Sequence, residues 1–150
     1  MRVVIQRAAK ASVLINNTEE RFIGQGLVVL LGIEDADEKT DAEWLVNKIT
    51  SMRIFSDAEG KMNLSLQDVE GELLIISQFT LHASTKKGNR PSFIKAARPD
   101  TAIPLYEYFI GEASKLFPAK VKTGEFGADM QVSLVNDGPV TITIDTKSRE

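Results

Sequence analysis

Two short stretches combine residue types that can do chemistry. In Ser77-Gln78-Phe79-Thr80-Leu81, two hydroxyls flank an amide and an aromatic ring. Thr80 could attack an ester, but a hydroxyl nucleophile needs a base beside it, and the only basic group near it in sequence is His82. Backbone N–H groups at this point offer another route: they could bind a developing oxyanion, a role set by geometry more than by side chain. In Asn136-Asp137-Gly138-Pro139-Val140-Thr141, the Asp-Gly pair lies between two alternating segments and predicts a hairpin turn. Pro139 is discordant there, because it removes a donor where the next strand should begin. An X-Pro bond adopts cis at a cost of about 0.5–1 kcal/mol. A cis Gly138–Pro139 bond would aim two backbone carbonyls the same way.

Composition narrows the chemistry further. The chain has 150 residues, no Cys and one His, so thiol catalysis, disulfides, thiolate metal sites and His-rich zinc sites are excluded. No G-x-x-x-x-G-K-[ST], H-E-x-x-H or G-x-S-x-G occurs, and Gly24-x-Gly26 lacks the third Gly of a dinucleotide fingerprint. Neither a metal nor a cofactor is expected. His82 reads as an ordinary polar loop residue.

The formal charge of −3 argues against a protein that coats nucleic acid by bulk charge. Its distribution says more. Leu73 to Arg98 contains Lys86, Lys87, Arg90, Lys95 and Arg98 and no acidic residue, so the acidic excess lies elsewhere. A solvated basic loop would have this composition, but the stretch is long, carries Gly88 and Pro91, and follows the polar end of a buried strand. A phosphate-bearing partner fits it.

The elements that must position these residues follow from periodicity. Arg2 to Ala8 and Ser12 to Ile15 read as strands, with a turn at Asn16-Asn17 and a further strand over Arg21 to Ile23. Leu27 to Ile33 and Glu72 to Gln78 are apolar runs of the kind buried on both faces of a sheet. Thr40-Asp41-Ala42-Glu43 matches a capping box and opens a helix over about Thr40 to Met52, with Ala42, Leu45, Val46, Ile49 and Met52 on its buried face. A second helix spans about Thr101 to Phe117, with Pro104 near its first turn and a stripe of Ile103, Tyr106, Phe109 or Ile110, Ala113 and Leu116.

Ile54-Phe55 reads as a short strand before the polar turn Ser56 to Gly60. His82 to Pro99 has no period and reads as a long loop, a length usually associated with function or disorder. Met130, Val132, Leu134 and then Val140, Ile142, Ile144 form two alternating segments. One mixed α/β domain over residues 1–150 is expected.

Taken in chain order, five segments resemble the motifs of the D-aminoacyl-tRNA deacylase family, enzymes that release D-amino acids from tRNA. They are Met1 to Arg7, Ser77 to Leu81, Gly88-Asn89-Arg90-Pro91-Ser92-Phe93, Phe126-Gly127-Ala128-x-Met130 and Asn136 to Thr141. The resemblance spans nearly the whole chain. It implies a three-layer β/β/α sandwich with mixed, largely antiparallel sheets and two main helices. It also implies a homodimer with its active site at the interface, where a cis Gly138–Pro139 enters the partner subunit's pocket. There it would exclude an L-side chain while admitting a D-side chain or hydrogen, so glycine mischarged on tRNA-Ala would also be released.

On this reading Gln78, Phe79 and Thr80 carry the reaction. Ser77 shapes the pocket, Arg7 and Asn136 hold the Gly-Pro segment, and Phe126 with Met130 stacks on the terminal adenosine. Thr80 as nucleophile competes with main-chain N–H groups of Phe79 and Thr80 that bind the carbonyl oxygen while the ribose 2′-OH assists water; the single His favours the second. Lys86, Lys87 and Arg90 would meet acceptor-stem phosphates. The partners expected are therefore aminoacylated tRNA and a second copy, not DNA or a membrane. A non-catalytic tRNA-binding module of the same fold is the alternative. The N-terminus lacks a signal-peptide pattern and Leu27 to Leu31 is far below the ~20 apolar residues of a membrane helix, so a cytoplasmic protein is expected.

Overall fold

Strand β1 (Arg2–Ile15) changes its inward face partway along. Val3 and Ile5 are buried in one core, and Ala8, Ala11, Val13 and Ile15 in a second. Between them its pairing with the last strand shifts register, from Gln6 to Ala8 and again from Ala8 to Lys10. Such irregularities bend a strand and re-aim its side chains. The two segments expected at Arg2 to Ala8 and Ser12 to Ile15 are thus one strand that serves two layers. The computed structural model describes residues 1–150.

Strand β2 (Glu19–Ile23) pairs antiparallel with the far half of β1, and β3 (Gly26–Gly32) with its near half. Helix α1 (Lys39–Ser51) and a small hairpin of β4 (Phe55–Ser56) and β5 (Met62–Leu64) lead to β6 (Glu72–Ser77), which lies parallel to β3. Helix α2 (Pro99–Leu116) is followed by β7 (Val121–Thr123), parallel to β6, and by β8 (Met130–Asp145), antiparallel to β1 along its length. The continuous apolar runs of β3 and β6 explain their central place. Leu27, Val29, Leu31, Leu73 and Ile75 face the helices, whereas Val28, Leu74 and Ile76 face the far half of β1 and the first half of β8. Helices, central sheet and second β layer give the three-layer arrangement.

Helix α1 is capped differently from the expectation. It starts at Lys39, and the Asp41 carboxylate accepts from the backbone N–H of Glu38 at 2.9 Å, so the box is Glu38–Asp41 rather than Thr40–Glu43. Glu43 instead accepts from the Tyr108 hydroxyl of α2 at 2.5 Å. Met52 lies just past the helix and is only partly buried.

Helix α2 begins at Pro99, where a missing N–H costs nothing, and this puts Pro104 inside the helix rather than in its first turn. Its buried residues are Ala102, Tyr106, Phe109 and Ala113, not Ile103 or Leu116. Phe117, just past the helix end, fills the core while Leu116 is half exposed.

The predicted hairpin at Asp137-Gly138 does not form. Asn136 faces Ala8 and Thr141 faces Gln6 in one continuous antiparallel pairing, which leaves Asp137, Gly138, Pro139 and Val140 opposite Arg7 alone. The chain therefore bulges outward and rejoins the same ladder. The local Asp-Gly signal was overridden by the 14-residue partner strand that continues past it on both sides.

Candidate active site

The parallel neighbours β3 and β6 end together, with Leu31 opposite Ser77. Beyond Ser77 the chain turns through a 3₁₀ segment, Phe79–His82. This turn sits so close on β3 that a Cβ at Gly32 would lie 3.0 Å from Gln78 O, His82 Cδ2 and Leu81 Cβ. Glycine at position 32 is what permits the approach. His82 is fully buried beneath the turn and neither ring nitrogen has a hydrogen-bond partner, which corrects its expected role as a polar loop residue. Held by packing, it is not placed as a base.

A cavity of about 370 Å³ opens at this strand end. Ser77, Gln78 and Phe79 form one side, Leu31 and Ile33 from β3 and its extension another, and Phe126, Met130 and Val132 a third. Thr80 is not among its lining residues. The Thr80 hydroxyl accepts from the Gln78 side-chain amide at 2.5 Å. The N–H groups of Phe79 and Thr80 open the 3₁₀ segment, so they have no partner inside it, and no backbone bond outside the regular elements uses them.

The third wall is braced from two directions. Tyr106 of α2 donates to Ile75 O at 3.1 Å, and its ring lies 5.9 Å from that of Phe126. Burial pushes the Tyr106 phenol up to about 12, so it remains a donor across the physiological range. From β2, the Arg21 guanidinium donates to Thr123 O at 2.8 Å and Gly124 O at 3.4 Å, just before the Phe126 segment. Neither Arg21 nor Tyr106 was legible as a site residue. Tyr106 fell on a helical core stripe, and Arg21 had no motif around it.

The remaining predicted residues form a second cluster. Arg7 is buried and donates to Asp137 O at 2.9 Å and to Ile54 O at 2.6 Å, with the Asp137 carboxylate 3.3 Å away. The Asn136 side chain accepts from Val140 N–H at 3.0 Å and donates to the Thr141 hydroxyl at 3.1 Å. Between them Gly138 has φ +142, and the Gly138–Pro139 bond is cis. No residue from Asn136 to Thr141 lines the cavity of the same chain. The structure thus brings Ser77, Gln78, Phe79, Phe126 and Met130 together, and separately Arg7, Asn136, Gly138 and Pro139.

A family model described as D-Tyr-tRNA(Tyr) deacylase matches residues 4–145. Relatives named D-aminoacyl-tRNA deacylase include one from Akkermansia muciniphila, 61% identical, and one from Cytophaga hutchinsonii, 63% identical, each covering 100% of both chains. A solved structure named c-Myc DNA unwinding element binding protein superposes with TM-score 0.90 at 41% identity, covering 97% of this chain and 98% of that one. Another, named a probable eukaryotic D-amino acid tRNA deacylase, has TM-score 0.83 at 20% identity, covers 95% of this chain and 97% of that one, and shares the fold. As a class, this is a hydrolase acting on aminoacyl-tRNA esters. The chain belongs to the D-Tyr-tRNA(Tyr) deacylase family.

Proposed function

We propose that the protein hydrolyses the ester bond of D-aminoacyl-tRNA, and of glycine mischarged on tRNA-Ala, releasing the amino acid and free tRNA without a metal or cofactor. One observation carries the mechanism: at the strand exit, the backbone N–H groups of Phe79, which lines the cavity, and of Thr80, the next residue, have no regular-structure partners. They receive the ester carbonyl oxygen and stabilise the negative charge that develops on it. The terminal ribose 2′-OH assists the attacking water. The Thr80 hydroxyl, engaged by Gln78 and without a base, holds the turn rather than attacking. Ser77 shapes the floor, and Phe126 and Met130 stack on the terminal adenine.

Discrimination belongs to the second cluster. The Asp137–Val140 bulge of one copy enters the cavity of a second, making the working form a homodimer. Support comes from the exposure of Gly138 and Pro139, from the three fixed points that Arg7 supplies, and from the absence of any such wall within one chain. An L-side chain meets this wall, whereas a D-side chain or hydrogen does not. Lys86, Lys87 and Arg90 are exposed and face the acceptor-stem phosphates. A cytoplasmic location suits that substrate, and no helix is long and apolar enough to cross a membrane.

Incubation with D-Tyr-tRNA is the test: the ester should disappear within minutes at catalytic protein concentration. A D-ester that survives while the protein still binds the tRNA would establish the non-catalytic module instead. Because the 41% identical structure bears the name of a DNA-binding protein, a DNA duplex is the appropriate competitor, and it should leave hydrolysis unchanged.

A further inference from the structure

We infer that Phe79 and Phe93 form a second nucleobase platform, at the mouth of the cavity, for the nucleotide that precedes the terminal adenosine of the tRNA 3′ end. The inference rests on the deacylase reading and adds a binding site to it. The cavity of about 370 Å³ is at the small end of ligand sites, which span about 300–1,000 Å³. It has room for one esterified nucleoside, so the strand leading to it must cross the surface at its mouth.

That mouth is aromatic. Phe79 lines the cavity yet is 54% exposed, and Phe93 beside it is 38% exposed. Their ring centroids are 5.1 Å apart with planes at 73°, an open corner in which a base can lie on one face and abut the other ring. Ile94 continues the apolar surface at 90% exposure. Stacking of unpaired bases on such rings is the usual way single-stranded RNA is held.

The platform is fixed in place. Ser84 and Ser92 exchange backbone hydrogen bonds of 2.8 and 2.9 Å, Ala96 N–H donates to Phe93 O at 3.0 Å, and Ala97 N–H donates to Ile33 O at 2.9 Å. The loop therefore has two anchors in a segment without helix or strand. Charge selects the occupant. Lys86, Lys87, Arg90, Lys95 and Arg98 surround Phe93 in sequence, none of them is ion-paired, and no acidic residue occurs from Leu73 to Arg98. Unpaired cations beside exposed rings match a phosphodiester chain carrying bases.

The test compares two substrates, D-Tyr-tRNA and the D-tyrosyl ester of adenosine alone, for wild type, Phe93→Ala and Phe93→Trp. Phe93→Ala should raise the KM for D-Tyr-tRNA about tenfold more than the KM for the adenosine ester, and Phe93→Trp should restore it. An equal rise on both substrates, or no rise on tRNA, overturns the platform while leaving the deacylase reading intact. A fall in solution mass caused by Phe93→Ala assigns the ring pair to a contact between copies and also overturns it. If wild type hydrolyses neither ester, the deacylase reading fails and the platform with it.

Discussion

The Arg7 guanidinium reaches across 130 positions of sequence to the backbone carbonyl of Asp137, 2.9 Å away. The same group donates to Ile54 O at 2.6 Å, so one buried side chain ties the outward bulge of β8 to the segment that follows α1. In the proposed function this bulge is a shape-selective wall, which must hold its position against the substrate it rejects, and Arg7 supplies the contacts that fix it.

Arg7→Lys should therefore be far from conservative. A single ammonium cannot reproduce the fork that serves two carbonyls. Losing one charge-assisted bond at this buried position should cost about 1.5–3 kcal/mol, or about 3–12 °C in Tm for a chain of this size. Thermal unfolding followed by circular dichroism measures the loss, and discrimination between D- and L-esters should weaken with it.

Gly138 has φ +142, and a Cβ there would lie 2.7 Å from Val140 Cγ2 and 2.8 Å from Val140 N. Gly138→Ala forces the bulge to shift, at a local cost of about 1–3 kcal/mol. A displacement near 1 Å in a positioning element can cost about a hundredfold. The kcat/KM for D-Tyr-tRNA should fall by that order, with the far-ultraviolet spectrum unchanged.

Thr80→Ala separates the two catalytic routes. With main-chain N–H groups doing the work, activity should stay within about tenfold of wild type, whereas loss of a true nucleophile costs on the order of 10⁴–10⁶. Single-turnover kinetics with D-Tyr-tRNA gives the answer. The Gln78 amide loses its acceptor in this variant, so a modest rise in KM should accompany it.

Acid should loosen the clasp that holds the C-terminal tail. Burial pushes the Asp41 carboxyl up, but hydrogen bonds from Lys147 and the Glu38 backbone N–H outweigh it and hold the carboxyl below its ordinary range. Asp145 is lowered in the same way, burial being outweighed by Arg2 and the Lys147 backbone N–H. A lowered carboxyl adds stability above its unfolded value, about pH 4, and loses it as pH falls through the folded value. Stability from urea titrations should decline below about pH 4, and less steeply in Asp41→Asn.

Much of this was legible from local pattern. The apolar runs of β3 and β6 announced two strands buried on both faces, though not their parallel pairing, and Leu45, Val46 and Ile49 announced α1. The strand exit at Ser77 to Thr80 could be placed because a buried run ended there in polar residues. What escaped depended on distant partners. Asp137-Gly138 reads as a hairpin until β1 is known to pair on both sides of it. His82 reads as polar until Gly32 is seen to let the turn settle onto β3. Arg21 gains its place only because β7 ends beside β2, a neighbour separated from it by about a hundred positions.

Stereoselective deacylation is tested most directly by one ratio: kcat/KM for D-Tyr-tRNA divided by that for L-Tyr-tRNA, measured on the same tRNA with wild-type protein. A rigid wall that L-side chains strike should make the ratio at least on the order of 10², with Gly-tRNA-Ala grouped with the D-ester. Equal clearance of the D- and L-esters, or survival of both, would contradict it.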